Sequence, residues 1–169
     1  MNMEEWVSFL DYLDKVHART VRVARCIPAD RLEEPHAAGK FSLGDLVRHI
    51  AGINRYMFAE TACQRPNRYP GNHRKIAEGL PNILAYFEHC HEQTMTMLRE
   101  LTPDQINSKC ATPDGASITV WKWLRLMAEH EIHHRGQIYF YLSQLGVATP
   151  PLYGLTSEEV LARSVKEPT

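Results

Sequence analysis

Four segments of this chain repeat apolar side chains at every third or fourth position, and none alternates them for more than a few residues. That period admits helices and little else. In the first segment Trp6, Leu10, Leu13, His17, Val21 and Ala24 share one face. IPADRLEEPHAAGK (27–40) then interrupts the pattern with two prolines and a glycine. The second segment opens with FSLGDL. There Ser42 is a cap, Asp45 completes a capping box, and Phe41 is placed to staple onto Leu46. Leu46, His49, Ile53 and Met57 form its stripe, and QRPNRYPGNHRK (64–75) ends it in a basic loop. A third helix starts near Pro81, with Leu84, Phe87, His91, Met95 and Leu98 on its inner face. A short turn or helix at TPDQI and a Pro/Gly loop, TPDGAS, come next.

The fourth helix runs from about Thr119 to Leu145, and Gly146 is placed to end it in a left-handed cap. The tail, irregular from about residue 146, finishes in a short helix from Ser157. Four long amphipathic helices in 169 residues imply an all-α four-helix bundle, one domain over 1–169.

Composition removes several function classes. Lys plus Arg total 19 against 20 Asp plus Glu, so the basic excess of a nucleic-acid binder is missing. No apolar run approaches the roughly 18 residues that span a bilayer, which excludes a membrane partner. The acidic N-terminus, MNMEEWVSFLDYLDKV, lacks the basic start of a secretory signal. Cys26, Cys63, Cys90 and Cys110 are widely spaced with no CxxC, which reads as reduced thiols in a cytoplasmic protein. Arg65, Arg68 and Arg74 form a solvated loop, or attract an acidic cosubstrate.

The nine histidines carry most of the functional information. HEIHHRGQ (130–137) places three of them within five positions. At about 100° per residue, Val120, Leu124, Met127, Ile138, Leu142 and Leu145 define the inner face of the fourth helix. His130 and His134, four apart, project side by side near that face, with Trp123 and Tyr141 on their side. His133 falls toward the rim, and Glu131 points at the middle of the apolar face. One inward histidine is ordinarily a core residue satisfied by a hydrogen bond. Two at this spacing form a clamp for a divalent metal. A third ligand must come from another helix. His49, His17 and His91 each interrupt an apolar stripe, and the helical wheel does not choose among them. His36, His73 and His89 read as loop or surface residues.

HEIHH also matches HExxH, the zinc-protease signature, with Glu131 as base and Glu158 or Glu159 as a downstream ligand. Little chain follows this helix, and no sheet precedes it to hold a peptide, so the motif match is set aside.

GKFSLGDLVRHIAG, TVWKWLRLMAEHEIHHRGQIYFYLSQLGV and PPLYGLTSEE resemble the DinB/YfiT-like superfamily of metal-binding four-helix bundles. The resemblance covers most of the chain. It implies an unusual bundle topology, frequent homodimers, and three histidines on one divalent metal: His49, His130 and His134 in this chain. His17 and His91 then become pocket or supporting residues, with Trp123, Arg135, Gln137 and Tyr141. Arg135 is equally read as a surface ion pair, and Glu131 as a general base, an orienter of a ligand histidine, or a carboxylate bonded to a neighbouring helix. Zinc or nickel suits such a site, with iron, copper or manganese also compatible.

Characterised members of that superfamily include transferases and isomerases that use small thiols such as bacillithiol or mycothiol. The leading expectation is therefore metal-dependent transfer of a low-molecular-weight thiol to a small electrophile. Metal-dependent hydrolysis and a non-catalytic, stress-related bundle are the alternatives.

Overall fold

The computed structural model describes residues 1–35 and 41–164. The expectation for His36 lies outside them, as do Gly39 and Lys40 of the GKFSLGDL stretch. The helices are α1 (Met3–Ala24), α2 (Leu43–Ile53), α3 (Glu60–Ala62), α4 (Leu80–Arg99), α5 (Pro103–Asn107), α6 (Val120–Gln144) and α7 (Ser157–Arg163). A two-stranded antiparallel hairpin, β1 (Lys109–Ala111) and β2 (Ser117–Thr119), precedes α6.

The helix ends follow the local chemistry. Asn2 with Glu5, Ser42 with Asp45, Thr102 with Gln105 and Thr156 with Glu159 are reciprocal capping boxes. Leu80 and Pro81 open α4. Gly146 adopts φ 68° just beyond α6, a backbone state that glycine enters without penalty. Phe41 packs on the apolar cluster around Leu46 and also lays its ring against His49.

The long helix that begins at Leu43 is not α-helical throughout. Asn54–Ala59 form a π-helical turn, and α3 completes the rod. Within this turn the Phe58 carbonyl accepts the indole N–H of Trp123 at 3.2 Å. Inserted π turns of this kind recur at functional sites.

In the bundle α1 packs chiefly on α6 and α4, and α2 packs on the same two helices, so α1 and α2 sit diagonally across from each other. The core divides into two apolar halves. One gathers Trp6, Leu10, Leu13, Ile53, Met95, Leu98, Leu124 and Met127. The other gathers Val21, Leu46, Ile50, Phe87, Ile138 and Leu142. Between them each long helix contributes polar side chains: His17 and Thr20 from α1, Asn54 after α2, His91 and Thr94 from α4, and His130, Glu131, His134 and Arg135 from α6. Buried polar groups are costly unless paired, so this layer is where chemistry is to be sought. Among the described residues, no helix is long and apolar enough to cross a membrane.

Candidate metal centre

Helical geometry brings His130 and His134 together first. They lie one turn apart on α6, with ring centroids 4.4 Å apart. His49 enters from α2, its ring 5.1 Å from His130 and 4.8 Å from His134. One nitrogen from each of the three falls within 4.8 Å of the others, and Nε2 of His49 meets Nε2 of His130 at 3.1 Å.

The outer nitrogens are tied down on two of the three rings. Nδ1 of His134 donates to Oε1 of Gln137 at 2.7 Å, which leaves its Nε2 lone pair facing inward. Nδ1 of His49 pairs with the Tyr69 hydroxyl at 2.9 Å. Nδ1 of His130 is buried and has no partner among the described residues. Phe41 walls His49, and Phe58 walls His130 with centroids 5.8 Å apart.

Burial, then the neighbouring His134 and His49, push His130 down to about 3. Burial and then His134 push His49 down to about 4, and burial lowers His134 as well. At neutral pH all three are uncharged imidazoles with free lone pairs. The donor set therefore fits a divalent ion of borderline softness such as zinc or nickel.

Glu131 is buried at 4% exposure, one residue after His130 and three before His134, and its carboxylate lies outside the three-imidazole group. Its Oε2 accepts from Asn54 Nδ2 at 2.8 Å, at the start of the π turn. Burial pushes the carboxyl up to about 7, against the pull of Thr20, Asn54 and Arg135. The Thr20 hydroxyl donates instead to the Val16 carbonyl at 3.1 Å, and Oε1 keeps no hydrogen-bond partner among the described residues. Of the roles read for Glu131, bonding to the neighbouring helix is the contact present.

The remaining residues fall elsewhere. His17 and His91 stack face to face at 3.8 Å between α1 and α4, His17 against Glu88 and His91 against Asp14, outside the three-imidazole cluster. Trp123 is a core residue behind the site, its ring 4.5 Å from Phe58. Tyr141 is half-buried among side chains packed on the second core half, beside Phe140.

Arg135 is not a surface ion pair. It is 3% exposed and donates to the Val16 carbonyl at 3.2 Å, joining α6 to α1. A helix main-chain carbonyl near the bundle axis is an acceptor that charge counting does not reveal. His133, His73 and His89 are exposed, as are Arg65, Arg68 and Arg74, the last paired with Glu78. Glu159 is occupied in the cap of α7, and the β1–β2 hairpin is the sole sheet among the described residues, so the protease reading gains nothing.

The DinB family model matches residues 1–165. The Bacillus subtilis protein YjoA is 29% identical over 137 residues, 79% of this chain and 86% of YjoA. Its crystal structure matches with a TM-score of 0.68 and 21% identity, covering 88% of this chain and 99% of YjoA. YfiT from Bacillus subtilis, described as a probable metal-dependent hydrolase with an unusual four-helix bundle topology, matches with a TM-score of 0.68 at 21% identity over 88% of this chain and 91% of its own. The fold is also similar to that of a mycothiol-dependent maleylpyruvate isomerase, TM-score 0.63 at 13% identity, over 82% of this chain and 61% of the isomerase.

Proposed function

The chain belongs to the DinB family, and from that premise we propose that it is a metal-dependent enzyme acting with a low-molecular-weight thiol on small electrophiles. The observation that carries this reading is the convergence of three neutral imidazoles, two of them oriented by Tyr69 and Gln137, with no carboxylate in the group among the described residues. His49, His130 and His134 would hold the ion. Three protein ligands leave a position open, the form of a catalytic rather than a structural site. The bound ion supplies Lewis acidity, which holds a thiol as thiolate at neutral pH.

The chain's own residues support that chemistry. Uncharged imidazoles leave the ion's full charge available to an anionic sulfur. The Phe41 and Phe58 rings exclude water from two sides of the ligand set and strengthen its electrostatics. Gln137 and Tyr69 fix the ring planes before substrate arrives.

Hydrolysis is the second reading, supported by the description of YfiT. A divalent ion would bring a bound water to a pKa of about 7, whereas it would deprotonate a bound thiol outright, the proton passing to solvent. Hydrolysis therefore gains more from a general base. Glu131 is the candidate nearest in sequence, yet its Oε2 is engaged by Asn54 and its carboxylate lies outside the three-imidazole group.

The test offers zinc- or nickel-loaded protein a haloaromatic electrophile with and without a small thiol. Thiol-dependent release of halide is the expected result. Turnover without thiol moves the protein to the hydrolases. Absence of turnover in both arms, with metal bound, makes it a binding bundle.

A further inference from the structure

The geometry points to Gly52 as the residue that admits Tyr69 to the metal centre and so positions His49, an inference that rests on the metal-binding reading above. Gly52 lies three residues after His49, on the same face of α2. A Cβ built there would meet Cε2 of Tyr69 at 2.9 Å, Cδ2 at 3.2 Å and the Tyr86 hydroxyl at 3.4 Å. Glycine weakens a helix interior relative to alanine, so its place here needs a packing reason. The Cδ2–Cε2 edge of the Tyr69 ring, seated where a Cβ would stand, is that reason.

Tyr69 arrives on a loop, and the loop is pinned to the same helix. The Arg48 guanidinium, next to His49 in the chain, donates to the Asn72 carbonyl at 2.8 Å and the Ala77 carbonyl at 3.0 Å. The Arg68 N–H donates to the Tyr56 carbonyl at 2.9 Å. With the loop held on both sides, the ring has little freedom to yield. The Tyr69 hydroxyl accepts the Nδ1 proton of His49 and fixes the tautomer with Nε2 free for the metal.

Relieving a 2.9 Å contact to an ordinary 3.4 Å moves the rigid ring by about 0.5 Å. The same movement away from His49 stretches the 2.9 Å bond to the limit of hydrogen bonding. Gly52 is therefore a positioning residue that acts through Tyr69.

The test is a cycle of Gly52→Ala, Tyr69→Phe and the double variant. Alanine favours helix, so folding is not at risk from backbone propensity. Cobalt(II) affinity, read by competition with a chromophoric chelator and by the cobalt d–d spectrum, should fall about tenfold in each single variant. The double variant should bind no more weakly than the weaker single one, because both remove the same contact. Losses that multiply, or a Gly52→Ala protein with wild-type affinity and spectrum, overturn the inference.

Crystal structures of metal-free wild type and Gly52→Ala form the second arm. The Tyr69–His49 separation should open from 2.9 Å to about 3.4 Å in the variant; an unchanged separation overturns the inference by itself. Wild-type protein that takes up no divalent ion overturns the function proposed above, and the two metal-free structures still decide the role of Gly52.

Discussion

Arg48 links the fold to the site. Its side chain is fully buried and makes five contacts of 3.0 Å or less: two to Glu33, one to Asp45, and one each to the Asn72 and Ala77 carbonyls. Burial opposes its charge, and the Glu33 and Asp45 hydrogen bonds outweigh that penalty. Arg48→Met keeps much of the volume and removes every donor.

The buried Ala77 carbonyl is then left unsatisfied, at about 1–3 kcal/mol, and the half-buried Asn72 carbonyl loses its donor at a smaller cost. The two carboxylates lose their partner, but each is 25% exposed and recovers part of that loss in water. The expected loss is about 3 kcal/mol, the low end for breaking a buried pair. Arg48→Lys keeps the charge but not the planar fork that grips Glu33 through both oxygens, and should lose about 2 kcal/mol. Urea unfolding with linear extrapolation measures both. Values within about 0.5 kcal/mol of wild type, as for an ordinary surface change, refute the reasoning.

Three further outcomes are expected. Gln137→Ala frees Nδ1 of His134 and should weaken divalent-metal binding about tenfold by calorimetry; unchanged affinity means that Gln137 does not hold that ring. His17 gives a pH dependence. Burial, then His91, holds it down at about 3 against an unfolded value of 6.5, and the Glu88 carboxylate 3.2 Å away is too exposed, at 44%, to reverse this. Between those values the unfolded chain binds a proton that the folded chain refuses, so stability is full above pH 6.5 and falls as pH drops toward 3. His17→Leu should therefore lose about 2 kcal/mol less than wild type between pH 7 and pH 5, and equal losses by urea unfolding contradict the assignment. Leu124→Ala, at a fully buried position on α6, should cost about 2–5 kcal/mol through the cavity it leaves; a smaller loss means that the core half around it collapses.

Much of this architecture is readable from residue order. The Ser42–Asp45 box, Pro81 at the start of α4, and Gly146 after α6 stand where local chemistry places them. The wheel also turns His130 and His134 inward and leaves His133 on the surface. A wheel gives a direction on one helix, but no distance to another. It therefore treats His17, His49 and His91 alike, although His17 and His91 stack on each other.

Other features have no periodic signal. The π turn at Asn54–Ala59 depends on partners across the bundle, Glu131 and Trp123. Tyr69 reaches His49 from an irregular loop, and its one local trace is Gly52, a glycine on the ligand-bearing face of α2. Arg135 reads as a surface charge until its acceptor, a carbonyl of α1, is in place.

The most direct test of the central claim is elemental analysis of protein purified without an affinity tag. About one divalent ion per chain is expected, as a three-histidine site with an open position requires. His49→Ala, His130→Ala and His134→Ala should each abolish it, and His133→Ala should leave it intact. Fully stable protein that contains no metal, or equal loss at His133, contradicts the account.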